Sequence, residues 1–585
     1  MLTLRLFAAL VLAYFLFPIA SATTNYTQCF LDIQSGLYGQ LGEDGARDNQ
    51  GNPVPLANVT AISYDLCKAA CGKSPTPFSW QLFSGRFSSW LLPWLALLSQ
   101  LPFGAQYRMD NLMSVFLAVG SPALAAYSLV LTVLNRHWIA RIFADIHYPN
   151  AQDIKRVLGC LQQAPLRVDE RDGMLASMLV LQENDAWWET LSTELDYTNT
   201  WTISVAAQVA WVIIAFLFTV IVSFSDAATG SAVFGASGQS VGAGFMWLLP
   251  IVIGWLVVSP KSDFDRFKKA LNSGRTQVYH AQPGQYGDPY PPAPVNAQEQ
   301  TDARALGLAA YKDDSPRRDE AVSAPIYNYA RFMQWTATVE YTASLLRTAG
   351  DKARDHRPVN PFSPSGWADR PDNKNDSVAP ENRRGSLEQV EQYVCTNQES
   401  SRARYGRARR VDPGFTARFL IATVLAMFLQ WGTVGGAIIA HWAAPPVGLG
   451  CRSGAYIVYA AAGTVSWVLL VVSSILSFYS SNATELECPR SSRRAMILAG
   501  RMATLLRRLG KLLAACNAVW IVLSCILLFT SFYDRCWCNS SVLGRGRNAY
   551  AILIPQDKDV NQVKTTWIAC MLHYALLILR RRRLT

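Results

Sequence analysis

Six long apolar runs constrain this chain more than any other feature: Leu112–Leu134, Ile203–Phe224, Val241–Val258, Phe419–Ala440, Ala455–Phe478 and Leu512–Phe532. Each is close to the roughly 20 residues that cross about 30 Å of hydrocarbon. They do not alternate polar with apolar residues, so a β-barrel does not compete. The expected fold class is all-α: a polytopic helical membrane protein. It has about seven spans (the last, shorter one being Val563–Leu579), one re-entrant or interfacial segment and partly disordered cytoplasmic loops. Composition agrees. Hydrophobic residues make up 50% of the 585 and charged residues 16%, against about 25% charged in a soluble chain.

The first 22 residues carry a different signal. Arg5 supplies a basic start and Leu6–Phe17 a short apolar core. Ala20-Ser21-Ala22 fits a small-x-small cleavage site. This reads as a secretory signal peptide, with an uncleaved signal anchor as the alternative. The segment after it, Thr23–Arg86, is polar and holds Cys29, Cys67 and Cys71. It also holds the acceptor triplets Asn25-Tyr26-Thr27 and Asn58-Val59-Thr60. Together these favour an outer or lumenal segment where disulfides persist.

Basic residues fix the orientation, because Lys and Arg collect in cytoplasmic loops. Loop Asn135–Asn199 carries about 6, Pro260–Thr416 about 23 and Tyr479–Lys511 about 7, whereas Ser225–Ser240 carries none. The chain ends in Arg580-Arg581-Arg582-Arg583, which places the C-terminus in the cytoplasm. An odd number of crossings must then separate Arg86 from Asn135. Phe87–Gly104 contains Pro93, Pro102 and Gln100, with Phe87, Trp90 and Trp94 suited to the headgroup zone. It is expected to dip and return, leaving Met113–Leu134 as the spanning helix; the alternative is an ordinary span whose flanking charges mislead.

The segments follow as 1–22 signal peptide; 23–86 outer segment with cysteines; 87–134 re-entrant segment and first span; 135–199 cytoplasmic helical loop; 200–259 spans two and three; 260–416 long cytoplasmic loop; 417–479 spans four and five; 480–511 basic amphipathic loop; 512–532 span six; 533–562 outer cysteine loop; and 563–585 last span and basic tail. This topology puts Cys29, Cys67, Cys71, Cys451, Cys536 and Cys538 outside, an even set compatible with three disulfides in any of 15 connectivities. A third acceptor, Asn539, lies beside them, whereas the triplets at Asn375 and Asn482 fall inside. Zinc at Cys536-x-Cys538 is disfavoured because no His or second thiol pair lies nearby.

On the cytoplasmic side, Ile154, Val157, Leu158 and Leu161 keep helical spacing, as do Trp187, Trp188, Leu191 and Leu195. Gln282–Gln300 is Pro-rich and reads as linker; His356–Asn382 reads as disordered. Pro325 is expected to open a helix that Gly350 stops, and Ser386 with Gln389 matches a capping box. Ser315-Pro316-Arg317-Arg318 and Arg383-Arg384-Gly385-Ser386 mark Ser315 and Ser386 as phosphorylation candidates. Arg402, Arg404, Arg407, Arg409 and Arg410 form a juxtamembrane cluster suited to anionic lipid, and Cys488–Leu513 a basic amphipathic helix suited to the inner interface. The lipid bilayer is thus the expected partner. The net charge of +11 is explained by insertion rather than by nucleic acid.

Ion and substrate pathways place ionisable groups inside spans. Here the intramembrane polar candidates are Gln208, Gln430, Asn517 and His573, better read as interhelical hydrogen-bonding groups than as ligands. Thr229–Gly244 reads as a flexible outer loop. The sequence shows no nucleophile elbow, His-Glu zinc motif or phosphate loop, so no catalytic, metal or cofactor residue is nominated. The expectation is a non-enzymatic sensor, scaffold or organiser; the alternative is a channel or facilitative transporter lined by the four polar residues. At "FSWQLFSGRFSSWLLPWLALLSQLPFGA", "VGSPALAAYSLVLTVLN" and "NDAWWETLSTEL" the chain resembles a group of large polytopic membrane proteins of filamentous fungi without assigned activity. That resemblance implies a fungal protein of the secretory pathway or plasma membrane and transfers no site residues.

Overall fold

A computed structural model describes residues 23–568, except 25, 72–74, 77–78, 169–172, 198–201, 229–231, 272–276, 284–292, 295–304, 363–365, 370–377, 396–412, 482–489, 531, 555, 557–558, 560 and 562. The signal segment, Asn25, Arg402–Arg410, Asn375, Asn482, His573 and most of Val563–Leu579 therefore lie outside the described residues.

At one end sits a small unit built from both halves of the chain. Strand β1 (Ala46–Arg47) pairs antiparallel with β2 (Ala61–Ser63), Ala46 opposite Ile62. The other edge of β2 receives β3 (Tyr550–Ile552), Ile62 opposite Ala551. Ile33, Ala46, Ile62, Leu66 and Ala551 are fully buried between them. Three disulfides secure the unit. Cys29–Cys71 closes the N-terminal segment, Cys67–Cys536 ties that segment to the C-terminal loop, and Cys451–Cys538 ties the loop to the bundle. All six cysteines that the topology placed on one side are thus paired at one end of the molecule.

The bundle is helical. Its first helix, α1, runs Trp80–Leu98 in three pieces: α-helical Trp80–Arg86, a π-turn over Phe87–Leu91, and α-helical Leu92–Leu98. Then come α2 (Arg108–Gly120) and α3 (Pro122–Ile142), bent by 104° at Ser121. Next are α4 (Ala151–Cys160), α5 (Asp185–Leu195), α6 (Ile203–Ala228), α7 (Ala232–Phe245) and α8 (Leu248–Val258). The remainder are α9 (Asn328–Arg354), α10 (Leu387–Val394), α11 (Pro413–Trp442), α12 (Cys451–Ser481) and α13 (Arg490–Phe529). Among the described residues, 5 helical stretches are long and apolar enough to cross a membrane, or up to 6 if the bent pair is one span. The chain is an integral membrane protein on that ground.

Two segments differ from the sequence expectation. Met113–Leu134 is not one straight helix: Pro122 has no N–H to continue the ladder of α2, so the chain turns at Ser121. Phe87–Gly104 does not dip and return within the described helices. The π-turn absorbs the disruption ahead of Pro93, which then occupies the first turn of the last piece, where its missing N–H is not needed. The Arg86 guanidinium, at the end of the first piece of α1, donates to the Phe529 carbonyl at the end of α13. Beyond the other end of α1, the Ser262 hydroxyl donates to the Phe103 carbonyl just past α8. From the level of Phe529 at Arg86 to Leu98, α1 therefore covers about 18 Å at 1.5 Å per residue, and Ser99–Phe103 carries the chain on to Ser262. By contrast, α2 and α3 enter and leave at the end opposite the disulfides. Asp110 pairs with Arg318 at 3.0 Å there, and Asn135 accepts from Arg418 near the start of α11.

Of Thr229–Gly244, expected as a flexible loop, the described part from Ala232 onward instead forms helix α7. Its glycines permit close approach: a Cβ at Gly242 would sit 2.4 Å from the Phe216 ring of α6. Its sequence lacks the bulk of a usual span because its neighbours fill the space. Opposite the disulfide unit lies a second core, in which Ile154, Val157, Trp188 and Leu191 pack with Trp335 and Val339 of α9. Helix α9 continues past Gly350 to Arg354. The described parts of His356–Asn382, expected to be disordered, are tied in: the Val359 N–H donates to the Asn382 carbonyl, and the Asn382 side chain exchanges hydrogen bonds with Ala368.

Peptide mapping without reduction is expected to recover Cys29–Cys71, Cys67–Cys536 and Cys451–Cys538. Replacing Cys67 and Cys536 by Ser opens a closure spanning 469 residues; the expected loss is on the order of 4 kcal/mol, read as a lower thermal midpoint.

Candidate functional site

Helix α2 ends with unpaired carbonyls and α3 begins with unpaired N–H groups, deep in the bundle. Side chains from three other helices close them. The Gln430 side-chain oxygen accepts the Ala123 N–H at 2.9 Å, while its amide nitrogen donates to the Ala460 carbonyl and the Thr464 hydroxyl, both at 2.8 Å. The Asn517 amide donates to the Gly120 carbonyl at 2.7 Å and the Tyr459 carbonyl at 2.9 Å. Tyr459 in turn donates to Val119, and Ser121 donates to Gly463, each at 2.7 Å. Packing leaves no room here. A Cβ on Gly120 would lie 1.9 Å from the Ala514 carbonyl oxygen, and one on Gly463 3.0 Å from the Gln430 side chain.

Two of the four intramembrane polar residues singled out from sequence, Gln430 and Asn517, are thus brought together at one junction. Gln208 lies apart on α6, partly exposed. Sequence reasoning missed Ser121, whose signal was the Gly-Ser-Pro triplet 120–122. It also missed His441, whose Nε2 meets the Ser240 hydroxyl at 2.8 Å, with the Tyr456 hydroxyl donating to Ser240 at 3.3 Å.

Below the junction lies a charged seam. Residues 313–320 cross the N-terminal half of α13. The Arg507 guanidinium donates to the Ser315 and Asp313 carbonyls, Arg508 pairs with Asp314 at 2.6 Å, and Lys511 pairs with buried Asp319. Tyr329 also donates to Asp319. A small recess here is lined by Asp319, Glu320, Tyr329, Ser474, Ser477 and Arg507. Burial pushes the Asp319 carboxyl up, but the Lys511 and Arg507 charges outweigh it, so the group lies below its ordinary value of 3.8. Nearby, burial lowers Arg331 from 12.5 to about 9. One of its terminal nitrogens is shared by Gln163, Ala324 and Asn328.

The modification candidates fall in different settings. Ser386 caps α10 in a full capping box with Gln389, and its hydroxyl donates to Glu388 at 2.9 Å. The Ser315 hydroxyl oxygen accepts the Arg317 N–H at 3.2 Å within the seam. Asn58 is exposed on the disulfide unit, whereas the Asn539 side chain accepts from Arg452 at 3.1 Å. Among the described residues no group of three His, Cys, Asp or Glu side chains is placed to hold a metal ion.

Gln430→Leu leaves the Ala123 N–H unpaired, and Asn517→Leu leaves the Gly120 carbonyl unpaired. Each is expected to cost roughly 1–3 kcal/mol, measured by thermal unfolding in detergent. Unchanged midpoints in both variants would remove the junction's structural role. A second test is acid titration. A depressed carboxyl stabilises the fold fully above its unfolded value near 3.8, and that stabilisation is lost as pH falls through the lower folded value. Tryptophan fluorescence from pH 6 to pH 2 should show an acid transition that Asp319→Asn weakens.

Compared with known proteins, the chain matches no family model, no curated protein and no solved structure.

Proposed function

We infer that this is a non-enzymatic membrane protein, a sensor or organiser that links a disulfide-bonded unit outside the membrane to a folded helical layer inside. One observation carries the reading: Gln430 and Asn517, the polar groups deepest in the apolar helices, are committed to closing the broken backbone between α2 and α3. That use supports the structural role over a solute path, because a channel wall needs polar groups turned toward water.

Basic-residue asymmetry puts the disulfide unit outside and the α9 layer with the C-terminus in the cytoplasm. In that orientation α1 crosses the bilayer and the α2–α3 hairpin enters from the cytoplasmic side. The crossing count between Arg86 and Asn135 stays odd, so the later spans keep the sides deduced from charge. The signal peptide, the acceptor asparagines and the paired cysteines fit the secretory pathway and the plasma membrane. The link is mechanical: Cys451 at the head of α12 is bonded to Cys538 outside, and Ser474 near its tail donates to the Tyr329 carbonyl of α9 at 2.8 Å.

Two measurements bear on this. Vesicles carrying the protein should show no solute flux above that of empty vesicles; flux abolished by Gln430→Leu with Asn517→Leu would establish the transport alternative instead. Opening the outer clasp with Cys451→Ser should raise hydrogen exchange in residues 312–321 severalfold. Unaltered exchange there would reject coupling across the membrane.

A further inference from the structure

Helix α13 is 40 residues long, about twice what the hydrocarbon requires. Its inward half carries a stripe that alternates charge and apolarity at helical spacing: Arg494, Leu498, Arg501, Leu505, Arg508, Leu512. All six are exposed, with Leu498 at 61% and Leu505 at 49%. The opposite face is occupied, since Arg507 is buried under residues 313–315 and Gly510 packs on Leu470 of α12. The stripe runs on into exposed Cys516 of the apolar half, so it is continuous with the lipid-facing surface.

Depth can be set from the neighbouring helix. Exposed Val458, Val465, Val472 and Tyr479 mark the apolar face of α12. From Val458 to Tyr479 that face is about 32 Å long, close to the roughly 30 Å of a bilayer core. Ser480 abuts Gly500, where a Cβ would meet its hydroxyl at 3.4 Å. The headgroup level on α13 is therefore near Arg501, with Arg494 beyond it and Arg508 nearer the midplane. Arg508, the deepest of the three, is the one neutralised by a carboxylate, Asp314. Arg494 and Arg501 have no ion-pair partner among the described residues.

We propose that this stripe is a docking surface for anionic phospholipid of the inner leaflet, with Arg494 and Arg501 holding the headgroup phosphate or carboxylate and Leu498 and Leu505 lying against the acyl chains. Charge complementarity and continuity with the lipid-facing surface select this occupant. A second copy of α13 would set arginine against arginine. The inward placement rests on the orientation given above, but the test uses vesicles of the same lipid in both leaflets, so its outcome does not depend on that orientation.

The full-length protein, carrying an environment-sensitive fluorescent amino acid at position 498, is reconstituted into vesicles of phosphatidylcholine alone or with phosphatidylserine. Phosphatidylserine should shift the emission to the blue and shield the probe from aqueous quencher. Arg494→Gln and Arg501→Gln should weaken the apparent affinity by about five-fold per arginine, with the Cys451–Cys538 bond and thermal midpoint retained as evidence of folding. Inorganic phosphate added to phosphatidylcholine vesicles should leave the emission unchanged. The proposal is overturned by equal emission in both vesicle types, by a phosphatidylserine response that survives the double substitution, by the same response to free phosphate, or by a response that follows protein density rather than lipid charge.

Discussion

A polypeptide in hydrocarbon has no water to satisfy an open N–H or C=O, and each one left open costs several kcal/mol. That constraint governs the centre of this molecule. The chain breaks its helix at Ser121 where no solvent can repair the ends. The break persists because Gln430, Asn517 and Tyr459 reach the orphan groups from three other helices and Ser121 itself accepts the Leu124 N–H. Helices α3, α11, α12 and α13 are held in register by the same contacts. The hairpin is therefore a break in the backbone at which α2, α3, α11, α12 and α13 meet. Close packing around Gly120 and Gly463 makes the arrangement specific, since any side chain there would push the partners apart.

Farther in, electrostatics takes over from backbone repair. Arg418 lies 3.8 Å from the centre of the Trp138 ring and donates to Asn135, fastening the start of α11 to the end of α3. Asp319, Lys511 and Tyr329 join α13 to the α9 layer in a buried network. A carboxylate with so little access to water stays charged only because two cations face it. The bundle and the inner layer thus share charged groups that neither could bury alone.

Much of this was legible in the residues. Apolar length revealed the five long apolar helices but not the break at Ser121, charge asymmetry grouped the six cysteines that the structure pairs, and Ser386-x-x-Gln389 announced its own cap. Gln430 and Asn517 were recognisable as interhelical donors, although their targets were not. What could not be read depends on partners distant in sequence. Pro93 looks like a breaker until a π-turn precedes it, and Gly120-Ser121-Pro122 looks like a kink until Gln430 and Asn517 supply the missing partners. The glycines of α7 suggest a loop unless Phe216 is there to occupy the space they leave. The acidic run 313–320 gives no sign by itself that Arg507 and Lys511, almost two hundred residues later, will cover it.

Strand β3 and Cys536 come from the last tenth of the chain, yet they complete the sheet and the covalent frame of the unit that begins the protein. During synthesis, the early segment is left with one edge of β2 bare and the Cys67 thiol without its partner until residues 536–552 have been made. A nascent chain that stalls before residue 536 therefore carries an unmatched thiol and an open strand edge. The sheet and the covalent frame of this small unit thus close only after helices α1 to α13 have all been synthesised.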